Sequence, residues 1–476
     1  MKTNTASTIV LTLVALLAGE SVIVRAGEQA SYFRADRGRA ANDSQPLPES
    51  LDDSELVWRV TLAQGHSTPC VVGDTIFVTI VEDEKLATVA LDRATGAERW
   101  RQIAPAERKE PHHRSGSPAT ATPASDGERV ITFFGSYGLL CYDMTGNLLW
   151  SKPLGPFQDE FGSGSSPVLV GNRVLLNEDH DIDNFLLCVD ATTGKTLWQT
   201  PRPGFTRSYA TPVIWETEGK TQVIVAGALQ LMSYDLETGE PLWSLDGFAR
   251  IVNTTPTLEN DLLLVSTWSP GGDSDSRIAM ETWDEACKQW DKDSNGKLSR
   301  EECNNPDVID RFFRIDLNQD QGLDQQEWEK YASVFERARN VLQAIKLKQS
   351  GRKFEPEVVW TYDKGLPYVS SPLIYRGIVY LSKDGGILTT LDARDGTLLK
   401  QGRVRGTGTY FASPVAGDGK VYVASDRGVV TVLAAGGDQD AINSRDFGER
   451  IVATPVIADG RICLRTEAAL YCFARK

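Results

Sequence analysis

No two cysteines are adjacent in this 476-residue chain, and its seven cysteines are an odd number, so at least one lies outside any intramolecular disulfide. A small disulfide-stapled scaffold is excluded at this length. Basic residues are not in excess: 50 Lys and Arg stand against 65 Asp and Glu, a formal net charge of -15. Polyanion-binding surfaces need concentrated Lys and Arg, so nucleic acid is not an expected partner. Beyond the N-terminus no apolar run is long enough to span a bilayer. A nucleophile elbow, a phosphate loop and a cytochrome c attachment sequence are all missing. Methionine numbers four, and no Met-rich groove of the sort that calcium sensors open is evident.

What the N-terminus does contain is a weak positive start at Lys2, a short apolar run from Ile9 to Ala18, and small residues at Val24 and Ala26. This pattern predicts a signal peptide over 1–26, followed by an N-terminal extension over 27–54. Glu20 and Arg25 interrupt the run, and no early cysteine offers a lipid attachment point. A periplasmic or extracellular location is expected, without stable membrane insertion after cleavage.

The body of the chain is repetitive. A hydroxyl residue followed by proline recurs at Thr68-Pro69, Thr122-Pro123, Ser166-Pro167, Thr211-Pro212, Thr255-Pro256, Ser371-Pro372, Ser413-Pro414 and Thr454-Pro455. Most intervals are 41 to 54 residues, whereas Pro256 to Pro372 spans 116. Each unit carries short β-rich runs and a turn such as Asp92-Arg93-Ala94-Thr95-Gly96, Asp190-Ala191-Thr192-Thr193-Gly194 or Asp235-Leu236-Glu237-Thr238-Gly239. Trp100, Trp150, Trp198, Trp243 and Trp360 follow as closing apolar residues. A period near 45 with four short strands suits a propeller blade. The last unit ends at Tyr471-Cys472-Phe473 without an outer strand, and Glu55 to Val60 supplies one. The fold class is therefore all-β: an eight-bladed β-propeller closed by an N-terminal strand. Closure of this kind removes exposed edges. Seven blades with an irregular terminal sheet is the competing reading. Cys141, Cys188 and Cys472 take matching strand positions, which favours buried apolar roles.

Over about 55–268 and 341–474 these repeats resemble pyrroloquinoline-quinone-like β-propellers, which are related to the outer-membrane assembly lipoprotein propellers. Leu187-Cys188-Val189-Asp190-Ala191-Thr192-Thr193-Gly194-Lys195-Thr196-Leu197-Trp198 is a good match, and Thr390-Leu391-Asp392-Ala393-Arg394-Asp395-Gly396 a poorer one with Lys400 in place of Trp. The resemblance makes pyrroloquinoline quinone the organic cofactor to consider. Quinone-dependent alcohol dehydrogenases of this fold commonly use adjacent cysteines, a stacking Trp and a carboxylate-rich calcium site. The missing cysteine pair, and the lack of an Asp that aligns with a catalytic base, weigh against that cofactor here. A fold does not carry its chemistry with it.

The long interval, residues 269–340, reads as a small α-helical EF-hand insertion in blade five, separating propeller residues 55–268 from 341–476. Its first loop is Asp291-Lys292-Asp293-Ser294-Asn295-Gly296-Lys297-Leu298-Ser299-Arg300-Glu301-Glu302. Asp291, Asp293 and Asn295 occupy positions 1, 3 and 5; the Lys297 carbonyl, Ser299 and the two oxygens of Glu302 complete an oxygen cage for Ca2+. The second loop presents Asp316, Asn318, Asp320, the Gly322 carbonyl, Asp324 and Glu327 at the same spacing, but Gln321 replaces the turn glycine, at a backbone cost. Helices are expected over 278–290, Pro306 to Ile315 and Trp328 to about Leu342. Phe312, Phe313 and Ile315 form an apolar side, and Leu298 and Leu323 a short β contact between the loops. Cys287 and Cys303 flank the first loop and could pair. The insert leaves between strands two and three of its blade, on the face where the loops enter the inner strands. Its expected role is positioning more than a large calcium switch.

Residues just before the repeated prolines should approach that face: His66, Arg207, Tyr209, Arg250, Asn253, Tyr368, Tyr410, Phe411 and Arg450. Guanidinium, amide and aromatic groups together suit an anionic or aromatic ligand, while packing and loop capping account for the same residues without one. His112-His113 and His180 lack the spacing of a transition-metal site. The function expected is a calcium-stabilised recognition or protein-interaction scaffold whose partner is an unidentified small molecule, peptide, glycan or protein. A quinone-dependent oxidoreductase is the alternative, and a purely structural assembly module a third.

Overall fold

A computed structural model of the chain describes residues 31–476 apart from 36, 39, 42, 106–111, 114, 218 and 352. The expected signal peptide and residues 27–30 lie outside the described residues. Eight four-stranded antiparallel sheets make up the body. Blade one runs Cys70–Val72, Thr75–Glu82, Lys85–Asp92 and Glu98–Ile103 in order from axis to rim, and each later blade repeats that meander. The second and third strands are buried on both faces because a blade packs on either side of them; Thr75–Glu82 and Lys85–Asp92 are accordingly near-continuous apolar runs. The rim strand Glu98–Ile103 is exposed along most of its length.

Blade eight combines both ends of the chain. Val456–Ala458, Arg461–Arg465 and Ala469–Ala474 receive Leu56–Thr61 as their rim strand, with Trp58 opposite Cys472 and Val60 opposite Leu470. The ring is thus closed by the N-terminal strand.

Adjacent blades are fastened by a repeated contact. The rim Trp of one blade lays its ring on the Thr-Gly turn of the next and donates its indole N–H to a carbonyl there: Trp58 to Arg93 (3.0 Å), Trp100 to Met144 (2.9 Å), Trp150 to Ala191 (2.9 Å), Trp198 to Leu236 (3.1 Å) and Trp360 to Ala393 (3.0 Å). A Cβ on Gly96, Gly146, Gly194, Gly239 or Gly396 would lie only 2.4–2.9 Å from the indole, and all five have positive φ. Glycine is required there twice over, by conformation and by close approach. Trp243 departs, bonding Gln222 of its own blade. Trp58, Trp243 and Trp360 are buried, while Trp100, Trp150 and Trp198 keep an edge in solvent.

Blade five is Thr257–Glu259, Leu262–Thr267, Val341–Ser350 and Lys353–Tyr362, with a small helical insertion between its second and third strands. Helices Trp283–Trp290, Pro306–Ile309, Phe312–Ile315 and Gln325–Arg337 enclose a core that includes Trp290, Leu298, Ile315, Leu323, Trp328 and Phe335. Leu298 pairs with Leu323 across a two-residue ladder. The last helix starts three residues before the expected Trp328, because Asp324 and Glu327 form a reciprocal capping box, and it ends at Arg337 so that Val341 can enter the sheet. Phe312 and Ile315 are buried, but Phe313 is 53% exposed and not part of the apolar side. Cys141, Cys188 and Cys472 are buried. Cys287 and Cys303 remain separate thiols.

The extension over 31–51 crosses the end of the ring. Carbonyls of Ser31, Arg37 and Gly38 accept backbone N–H bonds from Ser125 of blade two, Leu258 of blade five and Ile374 of blade six, and Ala41 donates to Ala416 of blade seven. Leu47 and Leu51 are 1% exposed beneath blades seven and eight.

Candidate functional site

Inner strands converge at the propeller axis, and the pre-proline residue of each blade faces the next blade more closely than any strand of its own sheet. Its backbone N–H therefore bonds sideways. Thr68 donates to the Thr122 hydroxyl (3.1 Å), Thr122 to Ser166 (3.0 Å), Ser166 to Thr211 (3.1 Å) and Thr211 to Thr255 (3.2 Å). Thr255 donates to Ser371 (2.9 Å), Ser371 to Ser413 (3.0 Å) and Ser413 to Thr454 (3.1 Å). Proline biases its predecessor to an extended conformation, which aligns the chain of bonds. The repeated Ser/Thr-Pro pair is thus a ring of hydroxyls about the axis.

A cavity of about 290 Å³ stands on this ring. Residues three before each proline form its next tier: His66, Thr120, Gly164, Tyr209, Asn253, Val369, Phe411 and Val452. An extended chain turns alternate side chains to one face, so positions one and three before the proline share the axis. Tyr368, His113 and Phe161 add to the wall, and the Asn253 amide donates to the Tyr368 carbonyl (3.2 Å). Phe33 of the extension also lines the cavity. The extension bonds strand residues that lie beyond the hydroxyl ring, so Phe33 closes the far end of the channel.

No carboxylate is among the described residues lining this cavity. Cations are close. A side chamber of about 10 Å³, the size of one water, shares His66, Val452 and Ala453 with the cavity and is bounded by Arg450, Arg465 and Glu467. Arg465 is fully buried and among the described residues has no acidic partner and no acceptor for its Nε; it donates to Ser67 O (3.0 Å), Ser67 Oγ (2.6 Å) and Thr79 O (2.9 Å), and burial pushes its pKa down to about 9. Arg450 stacks on Phe411 at 5.7 Å. Burial first, then Arg450, Arg465 and His112, push the His66 pKa down to about 3, so its imidazole is neutral at physiological pH. The cavity therefore has apolar and hydroxyl walls, with two guanidiniums and the Glu467 carboxylate at its side chamber.

Of the nine face residues expected from sequence, His66, Tyr209, Asn253, Tyr368 and Phe411 line the cavity and Arg450 bounds its side chamber. Three fall elsewhere. Arg207 is consumed by Asp181 (2.5 and 2.7 Å) and Glu160 (3.0 Å). Arg250 is buried against Phe335 of the insertion and donates to Pro270 O (3.1 Å). Tyr410 is 2% exposed and caps the Gly406 carbonyl (2.9 Å). Sequence reasoning did not pick out the hydroxyl ring, Phe33, Phe161 or Arg465. The ring was in view as the repeat itself; Phe33 and Phe161 sit on segments with no repeat register.

A buried charged network adjoins the wall. Tyr209 donates its hydroxyl to Asp159 (3.0 Å), Arg202 grips Asp179 (2.7 and 2.9 Å), and His180 Nε2 bonds Glu178 (2.7 Å) while its ring stacks on Phe157 at 4.0 Å. Burial works against charge on His180, but Asp159 and Glu178 outweigh it and raise its pKa to about 10. The same loop holds the insertion: Glu160 accepts from Arg314 (2.6 Å), and Gln158 donates to Leu317 O (2.9 Å).

Within the insertion, Asp291, Asp293 and Glu302 each bring a carboxylate oxygen within 4.8 Å of the others, a spacing that can hold a cation. Asp291 accepts from Asn295 N (3.1 Å) and Gly296 N (3.0 Å), the Asn295 side chain from Lys297 N (2.7 Å), and Glu302 from the Ser299 hydroxyl (2.8 Å). The second loop repeats these bonds: Asp316 accepts from Asp320 N (3.2 Å) and Gln321 N (2.9 Å), Asn318 from Asp320 N (2.9 Å), and Asp320 from Gly322 N (3.0 Å). Glu327 accepts from Leu317 N (2.7 Å) and Asp324 N (3.1 Å). Gln321 sits at φ +72°, as Gly296 does at +77°, so the missing glycine is tolerated under strain. The Lys297 ammonium contacts Asp320, placing a cation of the protein's own beside the second loop.

With this geometry in hand, comparison with known proteins is informative. The sequence profile of the family described as outer membrane protein assembly factor BamB matches residues 49–269, 183–305 and 353–476. That is more than half of the chain, and the chain belongs to this family of pyrroloquinoline-quinone-like propellers. No curated protein matches it. Among solved structures it is similar to BamB from Moraxella catarrhalis (TM-score 0.54, 13% identity, 88% of this chain and 99% of that one). It is likewise similar to a europium-containing methanol dehydrogenase (0.57, 11%, 94% and 98%) and to quinohemoprotein alcohol dehydrogenase from Comamonas testosteroni (0.60, 11%, 94% and 81%). At such identities these likenesses concern the fold.

Proposed function

Starting from membership of this family, we propose that the protein is an exported, calcium-binding propeller that recognises a small anionic ligand with an aromatic or apolar body in its axial cavity. One observation carries the reading: among the described residues the cavity has Phe33, Phe161, Tyr209 and Phe411 in its wall and no carboxylate, and it adjoins a chamber where the buried Arg465 and the half-buried Arg450 stand with a single carboxylate, Glu467. A buried, unpaired cation is costly, and an anion is what offsets it. Calcium would be held in EF-hand fashion by Asp291, Asp293, Asn295, Ser299 and Glu302, and in the second loop by Asp316, Asn318, Asp320 and Glu327. There its part is to fix the two loops against each other. A periplasmic or extracellular site of action accords with the N-terminal pattern, and among the described residues no helix is long and apolar enough to cross a membrane.

The second reading is a quinone-dependent oxidoreductase. Two of the similar structures are dehydrogenases, and the comparisons favour this reading over a binding role, BamB aside. Pyrroloquinoline quinone is itself a flat polyanion, which suits the two guanidiniums. The lining fits poorly in another respect: among the described residues that line it there is no acidic residue to share a metal with the quinone and no Trp to stack on it. Asp159, behind the wall, is committed to Tyr209.

Calorimetric titration of the calcium-saturated protein with naphthalene-2-carboxylate and with pyrroloquinoline quinone tests both. Saturable carboxylate binding that weakens roughly tenfold or more in Arg450→Ala is expected. Quinone binding with alcohol-dependent reduction of an electron acceptor would establish the second reading, and no binding of either anion to folded protein would reject the anionic cavity.

A further inference from the structure

Each blade pairs one residue of its second strand with a small residue of its third, which in turn lies opposite the rim residue. The third-strand residues are Ala90, Cys141, Cys188, Ser233, Ala344, Thr390, Val432 and Cys472. They are small because a rim Trp covers most of them, as Trp58 covers Cys472. That explains three cysteines as compact apolar residues. Their second-strand partners are large: Phe77, Ile131, Leu175, Ile224, Leu264, Tyr380 and Tyr422. Blade eight alone breaks this rule, with Cys463 facing Cys472.

The register decides what two facing cysteines can do. At the hairpin turn Thr466 N–H donates to Ala469 O, and at the other end Ala474 N–H points away, to Glu55 O. Antiparallel pairs alternate, so 464 with 471 and 462 with 473 exchange hydrogen bonds while 463 with 472 does not. Non-hydrogen-bonded pairs have the closer Cα atoms, about 4.5 Å, within the span a disulfide bridges. Both thiols are buried. A hydrogen bond from Cys463, opposed by burial and aided by Arg461 and Arg93, holds the Cys472 thiol below its usual range and favours the thiolate that starts exchange.

We propose that Cys463 and Cys472 form a cross-strand disulfide that locks the two strands onto which the N-terminal strand closes the ring. Two thiols lose two protons and two electrons to a disulfide oxidant such as oxidised glutathione, which leaves as two molecules of reduced glutathione. The bond joins residues of the one blade assembled from both chain ends, where opening would start. Formation in the cell rests on the export reading, since oxidising compartments permit it; formation in vitro does not.

The test is two-armed. Purified full chain is refolded in a glutathione redox buffer, then alkylated under denaturing conditions without reductant, digested and analysed by mass spectrometry. A linked peptide pair containing Cys463 and Cys472, absent in Cys463→Ser and released by reductant, is expected, with the other five cysteines alkylated. Alkylation of both residues in refolded protein, or a Cys287 to Cys303 link in their place, overturns the proposal. Protein isolated from a host's oxidising compartment is analysed in parallel. A bond in the first arm with free thiols in the second upholds the cysteine pair and removes the export reading instead. A further readout is unfolding rate in denaturant, expected to rise about tenfold or more on adding reductant to the native chain and to stay unchanged in Cys463→Ser.

Discussion

Trp58 sits where the first strand fastens the ring, and truncating it should open the most consequential inter-blade contact. Its side chain is 8% exposed, its indole N–H bonds Arg93 O at 3.0 Å, and its Cε3 lies 2.7 Å from where a Cβ on Gly96 would be. Removing a buried Trp costs about 3–5 kcal/mol. Gly96→Ala attacks the same contact from the other side. A non-glycine residue at φ +75° costs about 1–2 kcal/mol, and forcing the indole away adds about 1–3 kcal/mol of overpacking. With Trp58 already gone, the second cost vanishes and the first remains. The double variant Trp58→Ala/Gly96→Ala should therefore be more stable than the sum of the singles by about 1–3 kcal/mol. Urea unfolding followed by far-UV circular dichroism, which is indifferent to the missing indole, measures all four corners of the cycle. Additivity within about 0.5 kcal/mol would refute the close approach as the reason for glycine. The equivalent pair Trp198 and Gly239 supplies a comparison: Trp198 keeps an edge in solvent, so its truncation should cost less than that of Trp58.

Other expectations follow from the charged sites. Glu302→Ala removes two oxygens from the first insertion loop and should weaken calcium binding there by roughly tenfold or more, read by calorimetry; unchanged affinity at that loop would remove the ligand assignment. His180 has a raised pKa in the folded chain, so its stabilising effect is complete below about 6.5, the unfolded value, and is lost as pH rises through about 10. The stability gap between the native chain and His180→Gln should accordingly shrink across that window at no more than about 1.4 kcal/mol per pH unit, and a gap constant from pH 6 to 10 would show that the imidazole is not charged. Arg314→Ala should change global stability by no more than about 1 kcal/mol, because the Glu160 pair is partly exposed, yet raise amide exchange across 158–163; unaltered exchange there would mean that this pair does not hold the loop.

The propeller was legible because its physics repeats. A two-sided buried strand, a Gly turn that admits an indole and the indole itself recur with a fixed period, and a unit missing its rim strand at one chain end implied a strand over Glu55 to Val60 at the other, which the structure has as Leu56–Thr61. The insertion was legible because the interval from Pro256 to Pro372 is more than twice the repeat period, and helices fill it. The axial cavity was only half legible. Extended backbone has period two, so the positions one and three before each proline face the axis, while the position between them (Ser67, Ala121, Ser165, Ala210, Thr254, Ser370 and Ala412) is small and packed away, Ala453 being the exception that reaches the cavity. Selecting residues by chemistry near the proline, without that phase, included Arg250 and Tyr410, which the structure buries elsewhere. Arg207 was lost for another reason: its partners Asp181 and Glu160 come from different loops, and no local pattern announces them.

The loop from Phe157 to Ser163 joins what the sequence presented as separate features. Phe157 stacks on His180, Gln158 and Glu160 hold the insertion, Asp159 accepts the Tyr209 hydroxyl, and Phe161, Gly162 and Ser163 line the cavity. Gln158 takes hold at the carbonyl of Leu317, the residue after Asp316, and the N–H of Leu317 itself bonds Glu327. An ion that draws Asp316 and Glu327 together therefore acts one peptide away from the grip on the cavity loop. A ligand that presses on Phe161 acts on the same loop from the other side. Were calcium to bind at the one site and a ligand at the other, both would bias this one loop and their coupling would be reciprocal: whatever factor calcium contributed to ligand affinity, the ligand would contribute to calcium affinity. Arg207, which is paired with Asp181, also reaches this loop at Glu160 (3.0 Å), and a buried charge can leave its partners only at the cost of standing alone, so the loop is pinned from the propeller side as well as from the insertion.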